Sequence, residues 1–135
     1  MGRFYKLKLL FDKLVQRFQE VYKPGKEVVT DESMVPFRGR IYFRQYIPGK
    51  RHIYGLKLYK LCTTEAYTWN TELYCGASEK YQSLGKTESV VARLKLPLLG
   101  SDFTLYADSF YTSIPLADYL VSHKTYMCDT VRASR

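Results

Sequence analysis

Phe103-Thr104-Leu105-Tyr106-Ala107-Asp108-Ser109-Phe110-Tyr111-Thr112-Ser113-Ile114-Pro115-Leu116 is the stretch from which the fold is read. An apolar run of strand length, Phe103 to Ala107, stops at an acid, Asp108. Ser113 can then cap a helix that carries Pro115 in its first turn, where a missing N–H costs nothing. The helix runs to His123-Lys124, where cationic side chains suit the negative end of the helix dipole. Tyr126 to Arg132 reads as a closing strand.

Toward the amino terminus the same signature recurs: Glu27 to Asp31 (E-V-V-T-D) is a β-branched run ending at an acid. Ahead of it, Leu7, Leu10, Phe11, Leu14 and Phe18 recur at helical spacing within residues 4–20, and Pro24-Gly25 ends that helix. Pro36 to Gly55 is punctuated by Pro and Gly. Leu56 to Thr63 and the period-two stretch Tyr67 to Tyr74 predict two strands joined by a hairpin. Ala77 to Gly85 reads as loop. Thr87 is placed to cap a helix through Val90, Val91 and Leu94, which Pro97 kinks or ends. The order is helix, three strands, helix, strand, helix, strand: an α/β chain with a mixed sheet and helices packed on it. That order is compatible with a ribonuclease-H-like core and equally with other α/β folds.

The 135 residues suffice for one domain, and 46% apolar with 16% aromatic residues excludes intrinsic disorder. Cys62, Cys75 and Cys128 match neither a disulfide framework nor a zinc ligand set, which points to a reducing compartment. No signal-peptide core or membrane span is visible, so the expectation is a soluble intracellular chain with no membrane partner. Charge is unevenly distributed: residues 1–60 hold 14 basic and 5 acidic side chains, residues 61–135 hold 7 and 8. From Ser33 to Thr64 there is no acid, while Arg38, Arg40, Arg44, Lys50, Arg51, Lys57 and Lys60 alternate with aromatic residues. Such a stretch attracts a polyanion; a solvated basic face is the alternative reading.

Asp31 and Asp108 are the candidate chemical residues. Carboxylates at strand ends project into the crevice beside a sheet, where they can hold Mg²⁺, though a strand-end Asp also serves as turn former or cap. Asp102, Asp118 and Asp129 are weaker candidates. His52 and His123 lack a partner at ligand spacing, Ser109 lacks a nucleophile elbow, and no phosphate-loop or dinucleotide motif is present. Trp69 reads as core before base-stacking platform.

Asp31-Glu32-Ser33-Met34-Val35-Pro36-Phe37-Arg38-Gly39-Arg40 resembles the motif around the first catalytic aspartate of piggyBac-type transposases. Tyr46-Ile47-Pro48-Gly49-Lys50, Tyr54-Gly55-Leu56-Lys57 and Tyr74-Cys75-Gly76 follow in family style. Asp108-Ser109-Phe110-Tyr111-Thr112-Ser113-Ile114-Pro115-Leu116 is similar to the second-aspartate motif, and Thr130-Val131-Arg132 to the segment after it. The resemblance implies a ribonuclease-H-like core in which three aspartates bind two Mg²⁺ or Mn²⁺ ions. It implies strand cleavage and transfer through hairpins at TTAA ends, a nuclear location, DNA as partner and a possible homodimer. Asp31 and Asp108 would then be catalytic metal ligands. Arg38, Arg40, Lys50, Arg51 and Lys57 are assigned to DNA phosphates from charge.

Against that family, the third aspartate and the Cys-rich zinc-binding tail fall beyond Arg135. The expectation is a single partial domain, 1–25 as leading helix and 26–135 as core portion, truncated before the last family elements and inactive alone. Ser109 stands for a common Asn, Asp129 for a common Gly, and Ala66 for a Gly at the hairpin turn. The alternative is a domesticated DNA-binding or interaction protein without catalysis.

Overall fold

A computed structural model of the chain describes residues 5–76 and 84–131. Its elements are α1 (Tyr5–Val21), β1 (Glu27–Pro36), β2 (Gln45–Tyr46), β3 (Tyr54–Thr63), β4 (Thr68–Leu73), α2 (Lys86–Lys95), a 3₁₀ turn at Leu96–Leu98, β5 (Thr104–Ala107), α3 (Ile114–Ser122) and β6 (Tyr126–Asp129). The six strands form one sheet in the order β2-β3-β1-β5-β6, with β4 also on β3. β3 is antiparallel to β1, β2 and β4, whereas β1, β5 and β6 run parallel. Parallel neighbours need crossovers, and α2 and α3 supply them. The mixed sheet with flanking helices is the fold class the sequence predicts.

Strand alternation sorts the residues onto two faces. Val28, Leu61, Leu105, Val91, Leu116 and Leu120 are fully buried on the face covered by α2 and α3. Each side chain of this size contributes about 1.5–3 kcal/mol on burial. Ser113 caps α3 as expected, its hydroxyl accepting from the Leu116 N–H at 3.2 Å. Arg93 of α2 meets Glu72 of β4 through two donors at 2.7 and 3.0 Å, and Asn70 donates to the Leu94 carbonyl at 2.9 Å. α1 lies against β4, where Tyr67 donates to the Phe18 carbonyl at 2.7 Å.

Three expectations are corrected, and Trp69 is core as expected, by a route that simple alternation does not give. β1 does not end at Asp31 but continues to Pro36, because β3 pairs with it antiparallel through Pro36↔Gly55. α2 begins at Lys86 with Gly85 as its N-cap, so Thr87 is inside the helix rather than capping it. Trp69 reaches the core through a bulge: Leu61 pairs Asn70 and Cys62 pairs Thr68, leaving Trp69 without an opposite residue. A bulge re-aims a side chain in this way. β6 stops at Asp129; Arg132 and most of the expected 77–85 loop lie outside the described residues.

Candidate metal and nucleic-acid site

The pairing of β1 with β5 ends at Val29↔Tyr106. Asp31 stands two residues past Val29 in β1, and Asp108 two past Tyr106, immediately after the end of β5. Both lie on the sheet face opposite α2 and α3, and both are exposed. Asp31 Oδ1 accepts the Glu32 N–H at 2.7 Å, and Asp108 Oδ1 accepts the Phe110 N–H at 2.7 Å. Each carboxylate thus has one oxygen held by a backbone N–H. Two such hard oxygen donors fit a divalent cation as part of its ligand set. Among the described residues no third His, Cys, Asp or Glu completes a cluster. Asp129, paired with Ala107, falls on the opposite face, and Asp102 and Asp118 are exposed away from the pair.

The basic residues divide into two groups. Arg38 and Arg51 are exposed and line one cleft with Phe37, His52 and Tyr54. Arg40 lines a neighbouring one with Tyr42 and Arg44. Arg44 is anchored over the Tyr54 ring at 5.3 Å and donates to the Arg38 carbonyl at 3.1 Å. Lys57 differs: its side chain is 12% exposed, pairs with Glu32 at 3.5 Å, and stands over the Tyr59 and Phe110 rings. Lys50 also pairs with Glu32, at 3.6 Å.

The roles of three residues escaped the sequence reading. Lys60 is the cross-strand partner of Asp31 and shares its face; only the β1–β3 register identifies it. Glu32 and Tyr111 meet beneath the pair, with the Tyr111 hydroxyl donating to Glu32 Oε2 at 3.2 Å. Burial, then the Glu32 charge, holds the Tyr111 phenol protonated far beyond its usual range, and Asp31 adds to this. Burial and Glu32 push Tyr59 up to about 12.

The Transposase IS4 family model matches residues 1–135. PiggyBac transposable element-derived protein 3 of Homo sapiens is 30% identical over 137 residues, covering 98% of this chain and 23% of that protein. The chimeric ERCC6-PGBD3 protein of Homo sapiens is 30% identical over 137 residues, covering 98% of this chain and 13% of its own length. The piggyBac transposase in a cryo-EM structure of its synaptic complex with hairpin DNA is similar with a TM-score of 0.89 and 32% identity, covering 98% of this chain and 28% of that one. The chain therefore spans less than a third of each of these proteins.

Proposed function

Because the chain belongs to the Transposase IS4 family, in its piggyBac-derived branch, we propose that it forms part of a DNA strand-processing core in which Asp31 and Asp108 hold a divalent cation. The observation that supports this reading is that, on two adjacent parallel strands, Asp31 in β1 and Asp108 immediately after β5 each stand two residues beyond the last paired residues, both exposed. Asp31 and Asp108 would hold Mg²⁺ or Mn²⁺ there, and the bound ion would supply activation of an attacking oxygen and stabilisation of a leaving one in phosphoryl transfer. The chain's own residues bind and orient. Backbone N–H groups at Glu32 and Phe110 fix one oxygen of each carboxylate. Arg38, Arg40, Arg51 and Lys60 contact DNA phosphates, while Lys50 and Lys57 act through Glu32 instead. Cleavage at TTAA ends, nuclear location, a homodimer and the single partial domain over 1–135 belong to the same reading, supported by family membership.

A DNA-binding protein without catalysis is the second reading, favoured by Arg38, Arg40 and Arg51, exposed along two clefts. Fluorescence anisotropy with a TTAA-containing duplex separates the two. Four phosphate contacts predict a log–log salt slope of about −3 to −4. Mn²⁺ should tighten binding by the native chain and leave Asp31→Asn and Asp108→Asn unaffected. Affinity flat in salt overturns the DNA reading; salt-dependent affinity that is indifferent to Mn²⁺ in all three proteins favours binding without catalysis.

A further inference from the structure

The β1–β5 ladder stops two residues short of the aspartates. No ladder pairing ties the Asp108 turn to the Asp31 strand beyond that point, and two carboxylates drawn together at one cation repel. Glu32 follows Asp31 and points to the opposite face of β1. Three groups converge on its carboxylate: Lys50 at 3.6 Å, Lys57 at 3.5 Å and the Tyr111 hydroxyl at 3.2 Å. Tyr111 is only 2% exposed, its ring edge-on to Tyr59 and Phe110. Its own N–H donates to the Asp108 carbonyl at 3.0 Å. That bond closes the turn in which Phe110 orients Asp108 Oδ1. A continuous path therefore runs beneath the sheet from the Asp31 strand through Glu32 and Tyr111 to the Asp108 turn.

We propose that the Glu32–Tyr111 hydrogen bond is a buckle that fixes the separation of Asp31 and Asp108, making Glu32 and Tyr111 positioning residues for the divalent cation. The cation part of this rests on the metal reading above. Lys57 and Lys50 hold the Glu32 carboxylate toward Tyr111. The buckle substitutes for the ladder bonds missing beyond Val29↔Tyr106.

The test compares the native chain with Tyr111→Phe, which keeps the ring and removes the hydroxyl, and with Glu32→Gln, which keeps an acceptor. Two readouts are needed: hydrogen exchange at the Phe110 and Tyr111 amides, and Mn²⁺ affinity from the electron-paramagnetic signal of free Mn²⁺. In Tyr111→Phe, exchange at those amides should accelerate about tenfold while the Val91 and Leu105 amides hold within about twofold, as expected for a local opening. Mn²⁺ affinity should fall about tenfold, the size of effect seen when an outer-shell partner is lost. Glu32→Gln should fall between native and Tyr111→Phe in both readouts. Exchange and affinity within about twofold of native in Tyr111→Phe would overturn the buckle. If Asp31→Asn leaves the native Mn²⁺ signal unchanged, the metal reading fails by itself, and the Phe110 exchange rate still decides whether the buckle sets the turn.

Discussion

Lys95 ends α2 with its side chain fully buried, and its Nζ has no hydrogen-bond partner among the described residues. The ammonium lies 4.2 Å from the Phe103 ring centroid, a contact that returns only about 1–2 kcal/mol. Burial lowers its pKa from 10.5 to about 7. The unfolded chain binds this proton up to its ordinary pKa of about 10.4, so folding is opposed wherever the unfolded state is protonated. A difference of about three units corresponds to about 4 kcal/mol at pH 7, relieved by about 2 kcal/mol on going to about pH 9. Stability should therefore rise with pH between about 7 and 10. Lys95→Met fills the same volume without the charge and should stabilise the chain by about 1–4 kcal/mol at pH 7. Urea unfolding followed by tryptophan fluorescence, at about one-unit intervals from pH 6 to 10, reads both effects. The reasoning is refuted if Lys95→Met is less stable than native at pH 7, or if the native rise persists undiminished in the variant.

The alkaline side has the opposite sign. Tyr59, pushed up to about 12 mainly by burial, contributes stability that is complete below about pH 10 and lost as the pH climbs toward 12. Native and Lys95→Met chains should fall together there, and a difference between them in that limb would contradict the assignment. At the turn between β3 and β4, Ala66 holds φ 67, a left-handed conformation that costs a residue with a Cβ about 1 kcal/mol or more. Ala66→Gly should raise Tm by about 2–4 °C in calorimetry, after the entropy of the freer unfolded chain is deducted. Gly55 is the reverse case: a Cβ there would overlap the Val35 carbonyl oxygen across the β1–β3 pair. Gly55→Ala should cost about 2–4 kcal/mol in the same urea titration, and an unchanged midpoint would show that the two backbones do not approach so closely.

What could be read from the residues was whatever depended on short-range order. The apolar runs stopping at Asp31 and Asp108 marked strands, and Ser113 with Pro115 marked the start of α3, because caps and strand alternation act over a few positions. The length of β1 was hidden because Met34-Val35-Pro36 looks like the start of a turn when its antiparallel partner, twenty residues away, is not known. The division of labour among the lysines was hidden for the same reason. Lys57 and Lys60 lie in one basic run, yet the register with β1 turns Lys57 to Glu32 and sets Lys60 beside Asp31. Trp69 was correctly read as core although the route was wrong, since alternation has no symbol for a bulge. Charge marked Arg38 to Lys60 as the basic stretch of the chain. It could not tell which cations an internal carboxylate had already engaged.

The most direct trial of the paired-aspartate site is anomalous diffraction from crystals of this chain soaked in Mn²⁺. The account predicts an anomalous peak contacting carboxylate oxygens of both Asp31 and Asp108, absent from Asp108→Asn crystals grown and soaked alike. A peak bound by only one of them, or Asp31 and Asp108 diverging with no ion between them while Mn²⁺ binds elsewhere, would contradict it.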